Sequence, residues 1–166
     1  NAALYASFAQ SAFYVDALAG YGYNDNQMQR QIVIPGLTRN AQGRTGANQF
    51  TAQAETGYRI DIYERAAASL TPFVRLQAAG VSQNGFSESG AGSLNLSVAP
   101  QTTTSVRSVL GGELAGVLDA GWRDKLALQV RLGWAHEYAD TSRPMTAAFA
   151  GAPTQGFTVY GAAPQR

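Results

Sequence analysis

From Gln49 to Ile62 apolar and polar positions alternate almost without interruption. Phe50, Ala52, Ala54, Thr56, Tyr58, Ile60 and Ile62 fall on one side, and Gln49, Thr51, Gln53, Glu55, Gly57, Arg59 and Asp61 on the other. A period of two predicts a β-strand with one apolar and one polar face. The same pattern predicts six long strands: 2–10, 12–24, 49–62, 70–82, 104–118 and 125–138. Strands of soluble proteins run to about 5–6 residues, whereas a tilted strand needs about 9–11 to cross a bilayer. Length therefore points to an all-β, antiparallel up-and-down meander of a transmembrane barrel.

The connections support this. Short ones fall around Ser11, at 61–69 and at 119–124; long ones fall at 25–48, 84–103 and 139–156. Membrane barrels have short periplasmic turns and long outer loops. Within the long loops, 28–34 and 157–160 read as strand extensions that could carry hairpins above the bilayer. Aromatics gather near predicted strand ends: Tyr21, Tyr23, Tyr58, Phe73, Phe86, Trp122, Trp134 and Tyr138. Interfacial girdles predict such a placement, although aromatics are common in strands of every kind.

The polar faces carry charges of both signs in mid-strand: Asp16, Glu55, Arg59, Arg75, Arg107, Glu113, Arg131 and Glu137, with Gln53, Gln77 and Gln129 among them. In a barrel these residues line the inside. Such a lining either satisfies itself through ion pairs or binds a polar segment threaded through the pore. A soluble β-barrel or sandwich binding module is the alternative, because alternation does not say which face is inside.

Composition adds mainly exclusions. The 166 residues are one domain's worth, with 45% hydrophobic residues and net charge +1. No basic patch calls for nucleic acid. No cysteine is present, which removes disulfides and thiolate chemistry. His136 is the sole histidine, so a multi-histidine metal site and a histidine triad are both excluded. By alternation it shares the outward face with Trp134 and Tyr138. Glu55 and Glu113 are the only imaginable acid/base pair, and nothing in the sequence brings them together. No serine occupies a nucleophile elbow. The chain is expected to have no catalytic activity, no metal and no cofactor.

Several stretches, in order, resemble one family: LYASF at Leu4–Phe8, FYVDALAGYGYND at Phe13–Asp25, AETGYRI at Ala54–Ile60 and LTPFVRLQ at Leu70–Gln77. The series continues with GFSESGAGSLNLSV at Gly85–Val98, SVRSVLGGEL at Ser105–Leu114, RLGWAHEYAD at Arg131–Asp140 and TAAFAGAPTQGFTVYGA at Thr146–Ala162. Together they resemble the translocator domain of type V autotransporters of Gram-negative bacteria. The resemblance implies a twelve-stranded barrel, within the roughly 8 to 26 strands of such barrels. It also implies a place in the cell outer membrane and export of an N-terminal passenger. The partners implied are outer-membrane lipid, the chain's own passenger and linker segment, and the barrel-assembly machinery. Residues 1–166 then read as one fragment of that barrel. Six strands are too few to close a pore, since the smallest such barrels have about eight. Strands added at the edges, for instance from a second copy forming a homodimer, are the expected completion.

Overall fold

The computed structural model describes residues 1–119, 121, 125–139 and 144–161. Its main sheet has the long strands β1 (Ala2–Gln10), β2 (Phe13–Ile34), β3 (Leu37–Tyr58), β5 (Ala68–Gln83), β8 (Gln101–Asp119) and β9 (Lys125–Glu137). Each is antiparallel to the next, in the order β1-β2-β3-β5-β8-β9. A short strand β4 (Ile60–Tyr63) pairs with β5. The third predicted strand therefore breaks at Arg59, where the backbone N–H leaves the ladder and donates to Ala12 O across the β1–β2 turn at 2.8 Å.

The expected loop at 25–48 is instead a hairpin. β2 and β3 pair over all 22 residues of each, from Phe13–Tyr58 to Ile34–Leu37, without a register shift. Pro35 and Gly36 close it; Gly36 takes φ 82°, a conformation that costs glycine no Cβ clash. At about 3.4 Å per residue each strand is about 75 Å long. The apolar stretch Phe13–Tyr23 matches the span a bilayer requires, so about half of the hairpin rises beyond it. The strand extension predicted at 28–34 is the outer part of β2; its partner, 37–48, is not predicted as a strand, because no apolar alternation marks it.

Beyond the bilayer stands a second sheet, of β6 (Phe86–Ser87), β7 (Leu96–Val98), β10 (Pro144–Phe149) and β11 (Gly156–Tyr160). It joins the outer half of β3 edge to edge. Gln42 and Ser89 exchange backbone hydrogen bonds of 2.9 and 2.8 Å, and Asn84 N–H donates to Gly46 O at 2.9 Å. Glycine lets the two meet: a Cβ on Gly43 would stand 2.8 Å from the Phe86 ring. Arg30 clasps Glu88 with two bonds, of 2.5 and 3.2 Å, and also donates to Leu94 O. The Arg30 guanidinium holds the Glu88 carboxyl below its ordinary range, with help from the Leu96 N–H. Ala41, Thr45, Ala47 and Ala91 are buried at this junction.

The register carries each face across the whole sheet. Phe8, Val15, Thr56, Val74, Leu110 and Trp134 lie side by side in one row, and Ser7, Asp16, Glu55, Arg75, Val109 and Ala135 in the adjacent row on the opposite face. The apolar face is bare. Leu4 is 80% exposed, Leu132 74% and Trp134 65%. A continuous apolar surface of this extent has no place on a soluble monomer.

Candidate luminal site

The opposite face is built around Glu55. The preceding alternation fixes its direction, and the register sets it between Asp16 on β2 and Arg75 on β5. Its carboxylate accepts from Tyr14 OH at 2.8 Å, Arg75 Nε at 2.5 Å and Arg131 NH2 at 2.7 Å. Arg131 NH1 reaches Glu113 at 3.4 Å. Glu55 is buried, at 7% exposure, among these partners. The arrangement obeys a simple rule: a carboxylate removed from water must be paired and hydrogen-bonded.

Glu55 and Arg131 stand three strand spacings apart. Arg131 also lies four residues along β9 from Ala135, which shares the row of Glu55, so a flat sheet would hold the two Cα atoms about 20 Å apart, beyond the reach of the side chains. Their direct contact means that the sheet curls toward this face. Glycines make the bend possible. Tyr14, Gly57, Phe73, Gly111 and Gly133 form one row across five strands. The Phe73 ring covers Gly111, where a Cβ would come within 2.5 Å of it, and Tyr14 covers Gly57 at the same distance. The Arg131 guanidinium then sits 3.8 Å above the Phe73 centroid, a cation–π contact. The ionic face is thus the concave one, which alternation left open.

Not every anticipated residue joins this cluster. Asp16 accepts instead from Tyr5 OH at 2.9 Å and Ser7 Oγ at 2.6 Å, toward the β1 edge. Arg107 donates to Gln77, which donates to Gln53, forming a hydrogen-bond relay one row nearer the outer end. Glu137 takes Ser105 Oγ and the N–H groups of Val106 and Ala139, terminating β9. Among the described residues Arg59 pairs with Asp61 alone, at the turn end and away from the cluster. Glu55 and Glu113 do share one guanidinium, a link the sequence did not reveal.

Two members went unread. Tyr14 was visible on the Asp16 side of its strand, but its reach to Glu55 is tertiary. Phe73 needs correction: with Arg75 and Gln77 it faces the concave side and is 5% exposed, so it is no membrane-interface residue. Its odd position beside two polar odd positions was the available signal. Phe86 likewise packs against Gly43 above the bilayer. Of the remaining aromatics, Tyr21 and Tyr23 lie toward the outer end of the apolar face and Tyr58 at its turn end. Trp134 stacks with His136 at 5.7 Å, and His136 meets Tyr138 edge-on at 4.6 Å. Trp122 lies outside the described residues.

A meander that is apolar outside, ionic inside, and too long-stranded for a soluble sheet defines the wall of a transmembrane β-barrel. The model of the Autotransporter beta-domain matches residues 1–166, and the chain belongs to this family. The sheet is accordingly part of a barrel wall of the Gram-negative outer membrane. The chain is similar to Esterase EstA of Pseudomonas aeruginosa and to Esterase EstA of Pseudomonas putida, each 29% identical over 167 residues. The matches cover 99% of this chain and 25% of each relative. The chain thus spans about a quarter of the length of the relatives it matches.

Proposed function

We propose that the concave face, centred on Glu55, Arg75, Arg131 and Glu113, lines the conduit through which the passenger and its linker move. Asp16, Arg107 and Glu137 extend this lining, and Tyr21, Tyr23, Tyr58, Trp134 and Tyr138 anchor the wall at the two membrane interfaces. The observation that carries the reading is the sidedness of the sheet: the ionic residues pair on the concave face while the apolar face is bare.

Within this wall the charges serve passage rather than reaction. Arg75 and Arg131 are both engaged by Glu55, so the lining offers a polar, nearly neutral surface along which a hydrated chain slides without being held. In this reading the wall carries no catalysis of its own, and any enzymatic activity belongs to the passenger. β1 and β9 each have an open edge among the described residues. Closure requires further strands there, from a longer chain or from a second copy. Assembly machinery of the outer membrane would insert it.

The test is fluorescence of a Trp122→Phe variant of the full-length protein in vesicles with brominated acyl chains. Strong quenching of Trp134 is expected. Retained β-structure without quenching refutes the assignment of faces. Mass measurement in detergent then separates one copy per barrel from two.

A further inference from the structure

The β2–β3 hairpin carries a second surface beyond the lipid-facing one. Its register is unbroken, so the residues that face lipid below continue in line above: Gln27 beside Arg44, Gln29 beside Gln42, Gln31 beside Asn40. At Tyr23 the chemistry of this single face changes. Below it the side chains are apolar; above it, past Asp25 and Gly46, five of the six side chains in these three pairs are carboxamides, and all five are exposed. None of these five amides makes a side-chain hydrogen bond among the described residues. The hairpin's other face is already occupied, by Phe86 on Gly43 and by Glu88 on Arg30.

The ladder is also electrically closed. Arg44, the one cation among these three pairs, is engaged by Asp25 on the same face. A phosphate group would call for unpaired cations in a fixed geometry. A carboxamide offers a donor and an acceptor together, as a sugar hydroxyl does. Steps of about 6.8 Å along the strand and about 5 Å across match the scale of a hexose ring. The surface is continuous with the membrane-facing band and begins where the hydrocarbon ends.

We propose that this amide ladder docks the saccharide headgroups of outer-leaflet glycolipid, fixing the wall's height and rotation at the cell surface. The inference rests on the outer-membrane reading and names the polar half of the lipid contact. Saccharide hydroxyls replace the water that otherwise satisfies the exposed amides, so selectivity is for the sugar and not for the acyl chains.

The experiment uses the full-length protein in detergent, with lipid retention read by native mass spectrometry. Lipopolysaccharide carrying its oligosaccharide competes against lipid A without it and against phosphatidylethanolamine. A severalfold preference for the oligosaccharide-bearing lipid is expected, and Gln29→Ala/Asn40→Ala/Gln42→Ala should remove it. Equal retention of the three lipids by the unaltered protein overturns the proposal without reference to any variant. So does a preference that survives in a triple variant with native heat-modifiable mobility. Shielding of residues 27–44 from hydrogen exchange in saccharide-free lipid that exceeds the hairpin's own protection and is lost when the passenger is removed would assign the face to the passenger instead, and would also overturn it. In each case quenching of Trp134 by brominated lipid reports separately on the membrane wall.

Discussion

Replacing Glu55 by alanine tests the lumen most directly. The substitution strands three donors: Tyr14 OH, Arg75 Nε and Arg131 NH2, bound at 2.8, 2.5 and 2.7 Å. A hydrogen bond to a charged group contributes about 1.5–3 kcal/mol, and breaking a fully buried pair costs about 3–5 kcal/mol. The arginines are 28% and 35% exposed at their side chains, so luminal water rehydrates them in part. Arg131 also keeps Glu113 at 3.4 Å and its seat on Phe73. The net destabilisation is therefore placed at about 2–3 kcal/mol, below the dry-core figure. Glu55→Gln keeps an acceptor for one guanidinium and should lose about half as much. The assay is reversible urea unfolding of the vesicle-inserted protein, followed by tryptophan emission. A double-mutant cycle with Arg131→Ala isolates the pair and should return about 1–2 kcal/mol of coupling. Coupling indistinguishable from zero would refute the claim that ion pairing organises this face.

Other consequences concern separate parts of the wall. Leu132→Arg, on the bare apolar face, should cost about 2–4 kcal/mol in vesicles, whereas Gln129→Arg on the ionic face should fold nearly as the parent does; equal costs would reverse the assignment of faces. Gly111→Ala puts a Cβ 2.4 Å from Leu132 O and 2.5 Å from Phe73, with no flexible end to yield. A loss of about 1–3 kcal/mol is expected by urea titration, and Phe73→Leu in the same chain should restore part of it. Above the bilayer, Glu88 has a folded-state pKa depressed below its ordinary 4.5 by Arg30. A depressed carboxylate stabilises above its unfolded pKa and ceases to as pH falls through the folded one. Proteolysis at 84–98 should therefore rise only at pH below about 4.5, while Arg30→Met should be susceptible at neutral pH; a pH-independent cleavage rate in the unaltered protein would contradict the latch.

The sequence by itself determined which residues share a face. Alternation is local geometry: once 49–58 is extended, Gln53 and Glu55 must point opposite to Thr56 and Tyr58. Strand length was legible for the same reason, and with it the membrane. The six long strands and their meander order followed from turn spacing. What the sequence could not hold was distance across strands. Glu55 and Arg131 are 76 positions apart, and their contact depends on how far the sheet curls, which glycines at 57, 111 and 133 set jointly with Phe73 and Tyr14. The outer hairpin was legible only on one side. Alternation marks 28–34 as a strand, but 37–48 carries little of it, and its pairing comes from the uninterrupted ladder with β2 and from a closing glycine. Tertiary structure also decided which of two equally regular faces is concave. Curvature is a property of the assembled sheet, produced by the close approach of side chains on one side, and no single strand contains it.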